Sequence, residues 1–418
     1  MQKEKKIYVF ADFLPFQNEL IGTIYVSQTR GKEFYSFEYE QSWLEKGNMM
    51  LDPDLQLYKG RQYINDDKNI FGVFADSCPD RWGKRLMKRR EELRAKKAGE
   101  KPQKLLESDY LLGVYDEARM GGLRFKTEQN GEFLSNDKEY ATPPWTSLRE
   151  LEQASFAFEN DDTDLEGKWL KQLIAPGSSL GGARPKASVM APDGSLWIAK
   201  FPSKHDDFNS GAWEMVVHDL AEKCGLNVPE AKIEKFSKLG TTFLVKRFDR
   251  DGEQRIHFSS AMTVLGKKDD ANATDGSSYL EIASFLKADG ARPKRDLEEL
   301  WKRIVFSMAV SNTDDHFRNH GFILSDEGWE LSPLYDVNPD IYGEYLSLNV
   351  DADDSSIDFE LAVQAASYYG IEKKYAVQEV DKIKNVVGDN WKQLAKKYGI
   401  SRGEIERMSP AFWHVISR

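Results

Sequence analysis

A polar stretch late in the chain has residue types and a spacing that suit phosphoryl transfer. It runs Ser311-Asn-Thr-Asp-Asp-His-Phe-Arg-Asn-His-Gly321, with four residues between Asp314 and Asn319. An aspartate can accept the proton of an attacking hydroxyl, and an asparagine in the same tight loop can hold Mg²⁺. Asp336, 17 positions beyond Asn319, would be a second metal ligand. The spacing predicts a magnesium-dependent phosphoryl-transfer site.

Two upstream features could hold the phosphates of a nucleotide. Gly177, Gly181 and Gly182 lie in a loop that ends at Lys186, and Lys200 ends the apolar run Leu196-Trp-Ile-Ala. Glycines let backbone N–H groups approach phosphate oxygens, and the lysine resembles the strand lysine of kinases. Either feature alone is typical of an ordinary turn or of a solvent-reaching lysine. Their order before Asp314 favours nucleotide binding. The loop is not a Walker A motif, because no Gly-Lys pair is followed by Ser or Thr.

Two histidines in the same stretch, His316 and His320, raise the question of zinc. They accompany Asp314 and Asp315, and neither cysteine of the chain is near them in the sequence. We therefore favour a role for His316 in ordering the loop by hydrogen bonds over a catalytic zinc site.

The elements that must position these residues can be read from hydrophobic periodicity. The first 75 residues are β-rich, and a basic helix follows over 81–97 with Asp80 near its start. That helix is typical of a solvated face, and a contact with phosphate or a partner is the alternative. Residues 103–122 look helical. Further on, helices are predicted over 210–224, 279–287 and 297–310, a hairpin across Asp326-Glu-Gly, and a mostly helical last 80 residues.

Composition excludes several classes of protein. The 418 residues carry 58 basic and 69 acidic side chains, a net charge of −11, which argues against gripping nucleic acid by bulk charge. No apolar run approaches the roughly 20 residues of a membrane helix, and the charged start does not resemble a secretory signal. Two cysteines are no disulfide framework. We expect a cytoplasmic protein with no membrane partner.

The run of motifs resembles the HipA-like serine/threonine kinases, toxins of bacterial toxin–antitoxin modules. The resemblance spans most of the chain and includes Pro79-Asp-Arg-Trp-Gly near the N-terminus. In the second part it is carried by Ser179-Leu-Gly-Gly-Ala-Arg-Pro-Lys186, Ala199-Lys200-Phe201, Val245-Lys-Arg-Phe-Asp-Arg250, Asn312-Thr-Asp-Asp-His-Phe-Arg-Asn319 and Leu334-Tyr-Asp-Val337.

The resemblance implies a role for each matching residue. Asp314 would be the catalytic base, Asn319 and Asp336 the Mg²⁺ ligands, and Ser179, or the adjacent Ser178, the site of a silencing autophosphorylation. Lys246 to Phe248 would meet adenine largely through the backbone; family members carry glutamate where Lys246 stands. The residues expected to contact ATP are Gly181, Gly182, Ala183, Lys186, Lys200, Lys246, Phe248 and His316.

The resemblance also implies partners. A HipB-like helix-turn-helix antitoxin would neutralise the protein, and DNA would be reached only through it. A translation component such as an aminoacyl-tRNA synthetase would be the phosphorylated protein.

Two alternatives stay open. Asp314-Asp-His316-Phe-Arg-Asn319 also fits the D-x-H-x-x-N arrangement of lipid kinases, so the chain could be a small-molecule or lipid kinase, or else an inactive regulator bound to an antitoxin–DNA complex.

The expected fold is α+β with a bilobal, kinase-like arrangement. A turn-rich segment over 127–146 predicts a domain boundary there. We predict a β-rich N-terminal region with the basic helix over 1–149, and a kinase-like domain with a mostly helical C-terminal lobe over 150–418.

Overall fold

The computed structural model describes residues 4–46, 49–65, 68–137, 141–160, 173, 182 and 184–416. The chain divides into two compact units. The first unit comprises Met1–Ser203 and Asp249–Ser259, and the second comprises Lys204–Phe248 and Ser260–Arg418. Both units are therefore discontinuous in sequence, because each is made of two separate stretches of the chain. The predicted boundary at 149/150 stays a prediction.

Both units contain strands and helices. The strands are β1 (Lys5–Phe13), β2 (Phe16–Thr29), β3 (Lys32–Tyr39), β4 (Gln62–Tyr63), β5 (Leu123–Lys126), β6 (Lys186–Met190), β7 (Leu196–Lys200), β8 (Ala231–Glu234), β9 (Thr242–Lys246), β10 (Arg250–Asp251), β11 (Gln254–Arg255), β12 (Phe258–Ser260), β13 (Gly321–Ser325) and β14 (Gly328–Leu331). The helices are α1 (Gln41–Glu45), α2 (Gly72–Ala75), α3 (Arg81–Ala98), α4 (Glu107–Gly113), α5 (Leu148–Glu159), α6 (Ser210–Lys223), α7 (Ala261–Val264), α8 (Tyr279–Asp289), α9 (Pro293–Ala309), α10 (Phe359–Ala365), α11 (Lys373–Lys397), α12 (Arg402–Met408) and α13 (Trp413–Ile416).

The first unit is built on the sheet β4-β3-β2-β1-β5, whose neighbouring strands pair antiparallel. Apolar side chains of its strands, such as Ile7, Ile24 and Phe37, are fully buried. This agrees with the β-rich start expected from the sequence. Strands β6 and β7 form an antiparallel hairpin in the same unit.

Helix α3 begins where the sequence predicts. Asp80 is its N-cap, and the Asp80 side chain accepts a hydrogen bond from the Gly83 backbone N–H at 2.8 Å. A capping carboxylate satisfies an N–H that has no partner within the helix. Gly99, at φ 67°, ends the helix in the left-handed conformation that glycine adopts without strain.

The helix expected over 103–122 is much shorter. Helix α4 ends at Gly113, and a short 3₁₀ turn follows over Asp116–Ala118. The buried Arg119 guanidinium donates to the carbonyl oxygens of Leu111 and Val114 at 2.9 and 3.1 Å. These side-chain bonds satisfy carbonyls that a continued helix would have bonded internally, so tertiary contacts override the local helical pattern here.

The second unit holds a helical core around α6, α8, α9 and α11. Trp301 of α9 is fully buried, and its indole N–H donates to the Ala362 carbonyl oxygen at 2.8 Å. Trp391 of α11 stacks on Phe412 with ring centroids 4.4 Å apart. The helices predicted over 210–224, 279–287 and 297–310 are confirmed within a few residues at each end. The hairpin across Asp326 is also confirmed, as β13 and β14.

Candidate active site

The Asp314 loop connects the end of α9 to β13 in the second unit. It leaves the helix through Ser311, which is buried and has a φ of 49°. It returns through a 3₁₀ turn over Phe317–Asn319. A non-glycine residue with positive φ costs free energy and is held only where its surroundings determine it. The loop is thus a constrained structure between two regular elements.

Two adjacent carboxylates in this loop lie in opposite environments. The Asp314 side chain is 85% exposed, and its Oδ1 lies 3.6 Å from His316 Nε2. The Asp315 side chain is 4% exposed. Asp314 can therefore meet an incoming hydroxyl, whereas Asp315 faces the protein interior. The sequence alone contains both aspartates and does not show this division.

Asp315 is the centre of a buried polar network beneath the loop. Its Oδ2 accepts hydrogen bonds from the Tyr279 hydroxyl at 2.8 Å and the Ser307 hydroxyl at 3.1 Å, and its Oδ1 lies 2.8 Å from His320 Nε2. Burial acts to raise the pKa of Asp315, but the charge and hydrogen bond of His320, together with both hydroxyls, hold it below its ordinary value. The carboxylate therefore stays ionised and anchors the loop from below.

Asn319 closes the loop from its other end. Its amide nitrogen donates to the Asp314 carbonyl oxygen at 2.6 Å, and its backbone N–H donates to the His316 carbonyl oxygen at 2.8 Å. These bonds tie Asn319 to the backbone of Asp314 and His316. The Asn319 Oδ1 is buried and accepts no hydrogen bond from any described residue.

The segment after Asp336 is tied to the loop by several hydrogen bonds. The Asn338 backbone N–H donates to Asn312 Oδ1 at 3.2 Å, and the Asp340 backbone N–H donates to the Ser311 carbonyl oxygen at 3.0 Å. The Thr313 hydroxyl donates to Asp340 Oδ2 at 2.8 Å. The segment that carries Asp336 is therefore held in register with the loop that carries Asp314 and Asn319.

Asp336 has a φ of 57° and is, after Ser311, the second residue of the site with a constrained backbone. Its neighbour Tyr335 donates its hydroxyl to the Arg318 carbonyl oxygen at 2.8 Å, next to Asn319. The Phe248 ring packs on Tyr335 with centroids 5.7 Å apart. The second unit thus brings the proposed adenine-contacting Phe248 to the same cluster as the two proposed metal ligands.

Lys246 is the last residue of β9, two positions before Phe248. Its backbone N–H donates to the Glu230 carbonyl oxygen at 2.8 Å, and its Nζ lies 3.7 Å from Glu230 Oε2. The side chain therefore faces a carboxylate on the same unit. This placement is compatible with a nucleotide contact made by the backbone rather than by the ammonium group.

The two lysines expected to bind phosphates lie in the first unit, on facing strands. Lys186 of β6 is directly opposite Lys200 of β7 in the antiparallel register, so both side chains emerge on the same face. Both residues are buried. Gly182 has a φ of 96°, and a Cβ at that position would lie 3.4 Å from Lys186 Nζ. Ser179, Gly181 and Ala183 lie outside the described residues, as does Ser178.

A magnesium ion fits the residues of the second unit. Mg²⁺ is held in proteins by one or two carboxylates and by amide oxygens, with water and phosphate oxygens completing the shell. The buried, unbonded Asn319 Oδ1 is such an oxygen, and Asp336 supplies a carboxylate on a constrained backbone. No cluster of three or more His, Cys, Asp and Glu side chains suited to a metal ion occurs in the described part of the chain.

Residues that sequence reasoning missed support the site from behind. The principal ones are Tyr279, Ser307, Asn312, Thr313, Asp315, Asp340 and, in the first unit, Asp80 and Trp82. Asn312, Thr313 and Asp315 lie within the 311–321 motif, and Asp80 and Trp82 lie within Pro79-Asp-Arg-Trp-Gly, but the sequence assigned none of these five residues a role in the site. Nothing in the local sequence around Tyr279 or Ser307 indicates that their hydroxyls meet the same carboxylate.

Comparison with known families decides the assignment. The family model for the HipA-like C-terminal domain matches residues 178–391, slightly more than half of the chain, and the model for the HipA N-terminal domain matches residues 15–107. The chain belongs to the HipA-like kinase family. The resemblance read from the motifs is thereby confirmed, and the two matched ranges together include strands and helices of both units.

Individual relatives of this HipA-like chain are distant. It is 28% identical to the putative kinase Y4mE of Sinorhizobium fredii over 252 residues, 55% of this chain and 53% of that one. It is 28% identical to the serine/threonine-protein kinase toxin HipA of Shewanella oneidensis over 199 residues, 41% of this chain and 45% of that one. The alignments thus span about half the length of these relatives.

A solved structure matches nearly the whole HipA-like chain. The Shewanella oneidensis HipA, in complex with HipB and its operator DNA, superimposes with a TM-score of 0.66 at 17% identity, over 98% of this chain and 96% of that one. The expected α+β fold of the kinase-like HipA type is confirmed. Separately, none of the helices in the described parts of the chain is long and apolar enough to cross a membrane.

Proposed function

We propose that this chain is an ATP- and Mg²⁺-dependent serine/threonine protein kinase that acts as a growth-arresting toxin. One observation carries the proposal: the exposed Asp314 carboxylate and the buried, unbonded Asn319 Oδ1 belong to one hydrogen-bonded loop. A pure binding module would have no reason to keep an amide oxygen buried without a hydrogen-bond donor, which is costly.

The residues divide the chemistry between them. Asp314 accepts the proton of a serine or threonine hydroxyl, whose oxygen attacks the γ-phosphorus of ATP. The bond between the γ-phosphorus and the bridging oxygen breaks, and ADP leaves. Asn319 and Asp336 hold Mg²⁺, which offsets the charge that develops on the phosphate oxygens. Lys200 and Lys186 bind the phosphates, and the chain near Lys246 and Phe248 contacts adenine.

Regulation and partners follow from the family. We propose that Ser179, or the adjacent Ser178, is autophosphorylated and that this modification silences the kinase. A HipB-like helix-turn-helix antitoxin would bind the protein, and DNA would be contacted through that antitoxin. The HipA–HipB–operator complex of Shewanella oneidensis supports this choice of partner. The protein substrate would be a component of translation, such as an aminoacyl-tRNA synthetase.

Mass spectrometry tests the activity directly. Purified, phosphatase-treated protein is incubated with ATP and Mg²⁺, and intact and peptide masses are compared with those of Asp314→Asn. We expect one added phosphoryl group on Ser179 or Ser178, and a loss of at least about 10³-fold in rate in Asp314→Asn. Asp326→Asn is the matched control, because Asp326 is exposed in the β13–β14 turn of the same unit.

The outcomes separate the competing functions. ATP consumption without any phosphoprotein would favour a small-molecule or lipid kinase. No ATP consumption by protein that binds antitoxin and operator DNA would favour an inactive regulator. Growth arrest on expression, abolished by Asp314→Asn and by co-expressed antitoxin, would support the toxin role.

A further inference from the structure

The start of helix α3 contacts both the side chain and the backbone of Lys186. Asp80 Oδ2 lies 2.9 Å from Lys186 Nζ, and the side chains of both residues are only 4% exposed. The Trp82 indole N–H donates to the Lys186 carbonyl oxygen at 3.0 Å. A single helical turn therefore fixes the ammonium group and the backbone of the same residue.

The electrostatics of the β6–β7 hairpin favour a carboxylate beside Lys186. Lys186 and Lys200 are opposite one another in the register, and like charges at directly opposed positions destabilise a sheet. Both lysines are also buried, which makes an uncompensated ammonium costly. The Asp80 carboxylate offsets the charge of Lys186.

Lys186 Nζ also lies close to Gly182. A Cβ on Gly182 would approach Lys186 Nζ to 3.4 Å, so the ammonium lies next to the Gly182 backbone. Asp80 itself cannot swing freely, because its Oδ1 caps helix α3 through Gly83. The carboxylate thus has one oxygen for the helix and one for the lysine, and the position of Lys186 Nζ is tied to the start of α3.

We propose that Asp80 is a positioning residue of the nucleotide site, which places the Lys186 ammonium for the phosphates of ATP. Asp80 belongs to the stretch that matches the HipA N-terminal domain, and Lys186 to the stretch that matches the HipA-like C-terminal domain. The N-terminal family domain therefore contributes a side chain to the phosphate site of the C-terminal one. The inference rests on the proposed function, since it assumes that this site binds ATP.

A binding cycle tests this inference. Affinity for a non-hydrolysable ATP analogue with Mg²⁺ is measured by calorimetry for the unsubstituted protein, Asp80→Asn, Lys186→Met and the double variant. Asparagine caps helices as well as aspartate, so Asp80→Asn keeps α3. We expect Asp80→Asn to weaken binding about tenfold, and to weaken it no further once Lys186 is methionine. The matched control is Asp358→Asn, the same change at the N-cap of α10, which should leave affinity unchanged.

Several results would overturn the inference. One is that Asp80→Asn binds the ATP analogue as tightly as the unsubstituted protein, or more tightly. Another is that Asp80→Asn lowers the affinity by the same factor when Lys186 is already methionine, since Asp80 would then not act through Lys186. If Asp80→Asn does not fold, Asp80→Glu keeps the charge but displaces the carboxylate, and the same loss is expected from it. If the unsubstituted protein fails to bind the analogue, the proposed function falls and the inference falls with it. Intact binding with no effect of Asp80 removes the inference alone.

Discussion

At the scale of single residues, the site depends on two adjacent aspartates that lie in different environments. Asp314 and Asp315 are adjacent and chemically alike, yet one is exposed and the other buried among two hydroxyls and an imidazole. The exposed carboxylate can exchange a proton with a substrate. The buried one is held ionised and serves the loop. A variant of the network should therefore affect stability first.

The Tyr279 hydroxyl gives the clearest test of that network. Tyr279→Phe removes a donor from the buried Asp315 carboxylate, and a hydrogen bond to a charged group contributes about 1.5–3 kcal/mol. We expect a loss of about this size in the free energy of unfolding, measured by urea denaturation. The control is Tyr375→Phe, which removes a hydroxyl bonded to Glu298 on an exposed surface and should cost less. Equal losses in both variants would contradict the importance of the network.

His257 predicts a pH dependence of stability. Burial lowers its pKa to about 3, and its ring stacks on Phe13 at 4.6 Å. Because the folded pKa lies below the unfolded value of about 6.5, the unfolded chain takes up a proton first as the pH falls. This residue's contribution is therefore complete above about pH 6.5 and is lost toward pH 3, at up to about 1.4 kcal/mol per pH unit.

The measurement compares unfolding free energies of the unsubstituted protein and His257→Phe between pH 7 and pH 4. The phenyl ring can stack on Phe13 but cannot titrate, so its profile should be flatter over this range. Parallel profiles would show that His257 does not supply the dependence.

At the scale of elements, the Asp314 loop is held between helix α9 and the segment that follows Asp336. Gly343 lies on that segment, and a Cβ there would come within 2.1 Å of Thr313 Cγ2 and 3.0 Å of Thr313 Cβ. Thr313 is β-branched and is bonded through its hydroxyl to Asp340, so it cannot easily move aside. The absence of a side chain at this position is therefore needed for the loop to keep its place beside Asp314.

Gly343→Ala tests the coupling between the segment and the loop. We expect the displaced Thr313 to move Asp314 and to lower the phosphoryl-transfer rate by about tenfold or more, since small misplacements of catalytic groups are costly. The matched control is Gly403→Ala in α12, where a Cβ meets nothing within 4 Å. That change should stabilise the protein by about 0.5–1 kcal/mol without affecting turnover. An unchanged rate in Gly343→Ala would separate the segment from catalysis.

The same scale shows what the sequence could predict. Elements with strong local signals, such as α3 with its Asp80 cap and the β13–β14 hairpin, were predicted nearly to the residue. The prediction of a helix over 103–122 was wrong beyond Gly113. The Arg119 side chain donates hydrogen bonds to the carbonyl oxygens of Leu111 and Val114. Local propensity does not encode such a bond.

The candidate site divides in the same way. Asp314, Asn319 and Asp336 follow from spacing along the chain, because one loop carries the first two and the segment just after β14 carries the third. Their supports do not, since Tyr279 reaches Asp315 from 36 positions away and Asp80 reaches Lys186 across 106 positions. Contacts of this kind depend on tertiary packing, which a single sequence does not display.

At the scale of the whole molecule, ligand binding should raise stability by mass action. If Mg²⁺ and an ATP analogue bind only the folded chain, 100 times the Kd of the analogue stabilises it by about 2.7 kcal/mol. Thermal unfolding followed by circular dichroism should show this shift with Mg²⁺ present. In Asp336→Asn the extra shift due to Mg²⁺ should be largely lost. An equal shift with and without Mg²⁺ in the unsubstituted protein would remove the metal from the site.

The chain leaves the first unit after Ser203 and returns to it at Asp249, and this order affects how the unit forms during synthesis on the ribosome. Asp249 accepts a hydrogen bond from the Gly121 backbone N–H at 2.8 Å, and Arg255 donates to the Asp116 carbonyl oxygen at 2.8 Å. Both partners of the returning segment emerge more than 120 residues after the groups they meet.

The nascent chain therefore cannot complete its first unit as soon as Ser203 has been added. Residues 204–259 have to be translated before the first unit can be completed, which takes roughly 3–11 s at elongation rates of about 5–20 residues per second. During that interval the residues around Gly121 and Arg119 lack their final partners in 249–255. The first unit of a newly made chain thus stays incomplete until translation is well past the midpoint of the sequence, and the second unit, which includes Ser260–Arg418, can be completed only after that.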